Sequence, residues 1–171
     1  MVDSYYPYAF RLNDTVRYFL WGRNSSENDV VLLDDDGRLP VFETTVAAGV
    51  FVSRRGLSYV EEDKVAMLEL DALAWWLAAP SDSIDCGLFL GAWNVFSDLA
   101  TAINGEPTHI DNREQMDIYD KLFFGNNLPA FTPAGEHYDP AWDDEEISIL
   151  VDLLDPWLTT FRRLIQPVTL R

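Results

Sequence analysis

"DALAWWLAAPSDSIDCGLFLGAWNVFSDLATAI", residues 71–103, is where the chain changes its period, and that change decides the fold. Upstream, apolar residues come in short β-branched and aromatic runs. From here on they recur three and four apart, the spacing of one helix face. Asp71 can cap a helix in which Leu68, Ala72, Trp75, Trp76 and Ala79 fall at helical intervals, with Pro80 as its stop. Ser81, Asp82 and Ser83 offer caps for a second helix over 84–103, whose stripe is Leu88, Ala92, Val95, Phe96, Leu99 and Ile103. Phe89 and Trp93 lie off that stripe, so burial on two sides is expected, and Asn104-Gly105 ends the helix.

Working outward towards the N-terminus, segments 15–22, 29–34, 39–46 and 49–54 read as strands separated by "NSSEN", "DDDG" and "RRG". Asp36-Gly37 is the best hairpin signal, and 64–70 can close the sheet. Towards the C-terminus, Asn112 with Gln115 resembles a capping box for a helix that turns Met116, Tyr119, Leu122 and Phe123 inward. Gly125 is its expected left-handed terminator. A last helix begins in "DDEE" (143–146), with Ile147, Leu150, Val151, Leu154, Leu158, Phe161 and Ile165 on one face and Arg162 and Arg163 near its end. Pro156 predicts a kink in it, or a restart capped by Asp155. The expected class is therefore α+β: an N-terminal antiparallel sheet of about four or five strands packed on about four C-terminal helices. With 171 residues and 48% hydrophobic content the chain can bury a sizeable core, and no Gly-, Ser- or Pro-rich linker divides it, so 1–171 reads as one domain, mainly β to residue 70 and mainly α from 71.

Lys and Arg number 12 against 29 Asp and Glu, a formal charge of −17. Such a surface repels nucleic-acid phosphates and anionic headgroups, and points to a basic protein partner instead. The acids cluster at 34–36, 61–63 and 143–146, although a turn and a helix start each have local uses for them. The single Cys86 rules out an intramolecular disulfide and suits a reducing, cytosolic setting. The first residues lack a basic segment followed by an apolar core, and no apolar run is expected to approach the roughly 20 residues of a membrane span.

Motifs for chemistry are sparse. His109 and His137 have no second His or Cys at metal-ligand spacing, Cys86 sits beside the opposing charge of Asp85, and there is no nucleophile elbow, phosphate-cradling loop or dinucleotide fingerprint. No cofactor or metal is expected. What remains is "GNNLPAFTPAGEHYDPAW" (125–142), a loop between two helices that has neither period yet carries apolar and aromatic residues a spacer does not need. Glu136, His137 and Tyr138 could support acid-base work, or His137 and Tyr138 could donate hydrogen bonds that pin the loop. Pro129 and Pro133 stiffen it, Thr132 and Pro133 start a turn that Gly135 completes, and Asn126 and Asn127 can satisfy the last carbonyls of the preceding helix. Phe131, Tyr138 and Trp142 are candidate anchors for a partner, each with core burial as the competing role.

The runs "DCGLFLGAWNVFSDLATAI" (85–103) and "YDKLFFGNNLPAFTPAGEHYDPAW" (119–142), followed by an amphipathic helix, resemble small acidic actinobacterial immunity proteins of polymorphic toxins. In particular they resemble the immunity factor of a tuberculosis-necrotizing-type NAD-glycohydrolase toxin, over roughly residues 71–165. The resemblance implies a cytosolic, non-enzymatic α+β protein that forms a heterodimer with its toxin and blocks the NAD pocket, partly through a glycine-containing loop. Residues 125–137 are the first choice for that loop, with Gly125, Asn126, Asn127, Phe131, Gly135, Glu136, His137 and Tyr138 as partner-binding residues; 104–112 is the second. A non-catalytic adaptor for another basic protein is the alternative, and a small enzyme using Glu136 and His137 a third reading.

Overall fold

The computed structural model describes residues 2–24, 29–105 and 112–169. Strand β1 (Val2–Leu12) runs antiparallel to β2 (Thr15–Asn24), joined by a two-residue turn at Asn13 and Asp14, both with positive φ (53° and 55°). Two such residues give the turn whose twist matches that of the flanking strands. The Asp71 carboxylate braces it, accepting the Asn13 N–H at 2.7 Å and the Asp14 N–H at 2.8 Å. Asp71 therefore lies in the first turn of helix α2 (Leu70–Ala78) and serves the hairpin; Glu69 stands at the N-cap position.

Strand β3 (Asp29–Val31) adds antiparallel to β2, and β5 (Met67–Glu69) adds parallel to β1, giving the order β3-β2-β1-β5. The mixed α+β class is as expected. Its first half differs in detail. β1 was not foreseen, and the strands expected at 39–46 and 49–54 reduce to β4 (Leu39–Val41), followed by helix α1 (Thr45–Arg54). The Thr44 side chain caps α1 by accepting the Ala47 N–H, and Ala48 and Val52, four apart, are its buried residues. The turn at Gly37 forms with positive φ, its Asp34 carboxylate accepting the N–H groups of Asp36 and Arg38. It does not make a β3–β4 hairpin, since β4 pairs parallel with β6 (Ile165–Pro167) in a separate two-stranded ribbon.

Strand alternation assigns the two sheet faces to two cores. Phe10, Leu12, Phe19 and Val31 pack with the C-terminal helices, whereas Tyr5 and Leu20 pack with Phe42, Ala48 and Val52 under α1. The larger core centres on Phe161, fully buried, with ring centroids 5.1 Å from Phe10, 6.2 Å from Phe19 and 6.1 Å from Phe96.

Helix α3 (Cys86–Asn104) starts at Asp85, whose side chain accepts the Leu88 N–H, rather than at Ser81–Ser83, and ends at Gly105 with φ 76°. It buries Phe89 and Trp93 as well as Ala92, Val95, Phe96 and Leu99, the expected two-sided burial; Ile103 is exposed. By length and composition these 19 residues could cross a membrane, contrary to the expectation that no apolar run comes near that length. In this fold they are a core helix. On α2, Trp76 meets Phe89 edge-on at 4.8 Å, but Trp75 is 75% exposed rather than inward.

Helix α4 (Arg113–Gly125) is capped by Asn112, which accepts the Glu114 N–H, and buries Ile118 and Leu122 while Met116 is exposed. Helix α5 (Asp144–Leu164) opens with a full capping box between Asp143 and Glu146 and runs through Pro156 as one helix, so of the two outcomes expected there the restart at Asp155 does not occur. Asp152 and Pro156 are both exposed, so the carbonyl that proline cannot bond lies on the solvent side.

Candidate functional site

Helix α4 delivers the chain into 126–142, and short-range polar bonds give that segment its shape. Gly125 closes the helix in right-handed geometry; the left-handed residue is Asn127, with φ 50°. Glycine is needed at 125 for a different reason: a Cβ there would stand 2.6 Å from Cys86 Sγ and 2.8 Å from Pro140 Cγ. The helix end is thus clamped between the start of α3 and the returning loop.

Two braces hold the loop. At its base the Asn127 amide donates to Gly125 O and Tyr138 O and accepts the Tyr138 N–H, all at 2.8 Å. At its return, Lys121 donates to both Glu146 carboxylate oxygens at 2.7 Å and to Ala141 O, with its ammonium 4.6 Å from the Trp142 ring centre. Between them, Glu136 N–H bonds Pro133 O at 3.0 Å around Gly135 (φ 82°), and Phe131 N–H bonds Leu128 O at 2.9 Å. The turn at 133–136 is the one foreseen. The pinning partner is not: Asn127 performs the role considered for the side chains of His137 and Tyr138. Lys121 carries no sequence signal beyond its spacing to "DDEE".

Of the eight candidate residues, Gly125, Asn126 and Asn127 are half-buried and engaged within the fold, whereas Phe131, Gly135, Glu136, His137 and Tyr138 are exposed. Asn126 completes the helix end through its N–H to Leu122 O. Phe131 is 60% exposed, Phe124 51% and Tyr138 44%. These rings are not loose. Phe123, packed on the core, meets Phe124 at 5.3 Å and Phe131 at 5.0 Å, both edge-on. Together with Asp120, Glu136 and His137 the three exposed rings line a concavity of about 540 Å³. Trp142 packs against the core beneath Lys121, so of the three candidate anchors it is the one turned inward. The second-choice loop, 104–112, lies outside the described residues from 106 to 111, His109 included.

Among the described residues no three His, Cys, Asp or Glu side chains gather as a metal site would. Glu136 and His137 make no hydrogen bond to each other, and both face solvent. Cys86 is buried, and burial first, then Asp85 and Asp139, push its thiol above the ordinary range. The acidic clusters at 34–36 and 143–146 carry the turn and cap bonds already described, while 61–63 is exposed. A second exposed aromatic surface is that of Trp75, which lines a groove with Arg11, Asn13, Asp14, Glu69 and Asp71.

No protein-family model matches the chain, and no curated protein does. Among solved structures it is similar to the C-terminal domain of SatS, crystallised in complex with bromine, at 13% identity over 96% of this chain and 94% of that one, with a TM-score of 0.52. A likeness at that identity speaks to the fold alone.

Proposed function

We propose that this protein is an immunity factor that captures a cognate NAD-glycohydrolase toxin in the cytosol and covers the toxin's NAD-binding cleft with the loop at 126–142. The observation that carries this reading is the set of exposed rings: Tyr138, whose backbone is tied to Asn127, and Phe124 and Phe131, packed edge-on against Phe123. A loop already ordered before binding loses less entropy on association, so more of its contact energy appears as affinity. A cleft that binds an anionic dinucleotide is electropositive, and a molecule at −17 is drawn to it over long range. Capture is steered by charge; tight binding comes from buried anchors. The protein itself performs no bond chemistry in this scheme, and Glu136 and His137 serve at the rim.

Co-expression with an NAD-glycohydrolase toxin domain of the tuberculosis-necrotizing type tests the proposal: growth and cellular NAD should be preserved, and His137→Ala should protect as well as the parent. Undiminished killing in cells that contain soluble, folded protein would remove the reading. The second reading, an adaptor for a different basic protein, is favoured by the Trp75 groove, since one plug does not call for a second exposed aromatic surface. It predicts that Trp75→Ala releases a captured partner lacking toxin activity.

A further inference from the structure

We infer that the concavity beside the loop is a receptor for a cationic side chain of the partner, an arginine presented next to an apolar residue, so that the loop both covers the partner and takes a side chain from it. This rests on the loop being the partner-binding element proposed above. Three exposed rings, Phe124, Phe131 and Tyr138, line the concavity, and Phe123 fixes two of them edge-on. Its volume of about 540 Å³ suits one or two side chains rather than a whole helix.

Charge selects the occupant. Asp120 and Glu136 line the concavity, and neither has an ion-pair partner among the described residues. Lys121 also lines it, but its ammonium is already engaged by both oxygens of Glu146 and by Ala141 O. The local balance is therefore two unpaired carboxylates beside aromatic faces, the combination that attracts a guanidinium through ion pairing and ring quadrupoles together. The molecule already makes such contacts internally: Arg55 lies 4.5 Å over Phe51 and Lys121 4.6 Å over Trp142. An anionic occupant would be repelled by Asp120 and Glu136, an effect that salt weakens because both are exposed, and a purely apolar one would cover two carboxylates without compensating them.

The test is a titration of the ¹⁵N-labelled full chain with acetyl-Leu-Arg-Phe-amide and with the same peptide carrying citrulline, which keeps the shape and removes the charge. Saturable shifts confined to 120–138 are expected, with the arginine peptide bound about tenfold more tightly, a ratio that shrinks as salt rises. Asp120→Asn with Glu136→Gln should bring both peptides to the citrulline level, while Glu43→Gln, at a distant exposed site, should change nothing. The variants' unchanged amide spectra outside 120–138 report that the fold is kept. Equal affinity for the two peptides, or no saturable shift in this region, overturns the inference. The peptide measurement needs no toxin, so the two ideas fail separately. An arginine peptide bound here without protection in cells would leave the groove standing and remove the immunity reading. A toxin held undiminished by the double carboxylate variant would do the reverse.

Discussion

Helix α3 and the loop at 126–142 are both rich in aromatic residues, yet they use them in opposite ways. In α3, Phe89, Trp93 and Phe96 are buried to within a few per cent, and the apolar surface they remove from water is itself a sufficient reason for their presence. In the loop, Phe131 and Tyr138 stay exposed while polar groups, Asn127 and Lys121, supply the order. Exposed rings held by polar braces do little for folding; their place in the sequence is explained by what they can meet. Under the proposed function, stability and recognition are carried by separate side chains, and each variant below moves one of the two.

The largest effect should come from the core. Phe161→Ala removes the ring that joins both long strands to α3, and should cost about 3–5 kcal/mol of unfolding free energy, read as a lower urea midpoint with an unchanged slope. A cost near zero would mean that the helix layer does not depend on this contact. At the boundary between the two regions, Gly125→Ala drives a methyl group into Cys86 Sγ and Pro140 and should cost about 1–3 kcal/mol. Because Cys86 is buried at the start of α3 whereas Pro140 belongs to the loop, amide exchange in 126–142 should accelerate more than in α3. Equal acceleration in both would show that the loop is not a separate unit.

Asp98 is the one charged residue of α3, and it sharpens the comparison through pH. Burial, then the negative charge of Asp29, raise its carboxyl from 3.8 to about 7; the Trp21 indole opposes this weakly. That indole Nε1 is itself buried without a well-formed hydrogen bond. A folded-state carboxyl raised in this way binds its proton more firmly than the unfolded chain does, so stability falls as pH rises from about 4 to about 7 and is level above. Asp98→Asn should match the parent near pH 4 and exceed it at pH 8 by about 1–2 kcal/mol, a figure reduced for the carboxyl's partial exposure to solvent. Parallel urea midpoints across that range would refute the assignment.

What could be read from the chain follows the strength of its local signals. The helix over 84–103, its Gly105 end, the Asn112 cap and the opening of α5 at "DDEE" were legible because cap chemistry and a 3.6 period agree there. α1 was misread because "TTVAAGVFVS" is rich in β-branched residues, although Thr44 as cap and Ala48 with Val52 four apart already spell a helix. β1 escaped because both of its faces are covered, which erases polar alternation, and because Asn13-Asp14 lacks the glycine that usually marks its kind of turn. At the loop, sequence could nominate 125–142 from composition. It could not tell Asn127, which ties the base, from Phe131, which faces out, because that distinction depends on Tyr138 returning beside Asn127 eleven residues later.

The smallest effect on stability, and the one that most directly separates the two regions, belongs to Phe131→Ala. Its ring touches Phe123 but is 60% exposed, so truncation forfeits one edge-on aromatic contact and little burial, at most about 1 kcal/mol. An α3 aromatic of the same type, Phe96→Ala, should lose several times as much. If Phe131 is an anchor, the same variant should weaken capture of the proposed partner by about tenfold or more, mainly through faster dissociation, because truncating a contact acts on the bound state and leaves the −17 charge, proposed to steer encounter, untouched. A Phe131→Ala protein as destabilised as Phe96→Ala would place that ring in the core after all; one that is stable and still binds at full strength would show that the exposed rings are not where the partner is held.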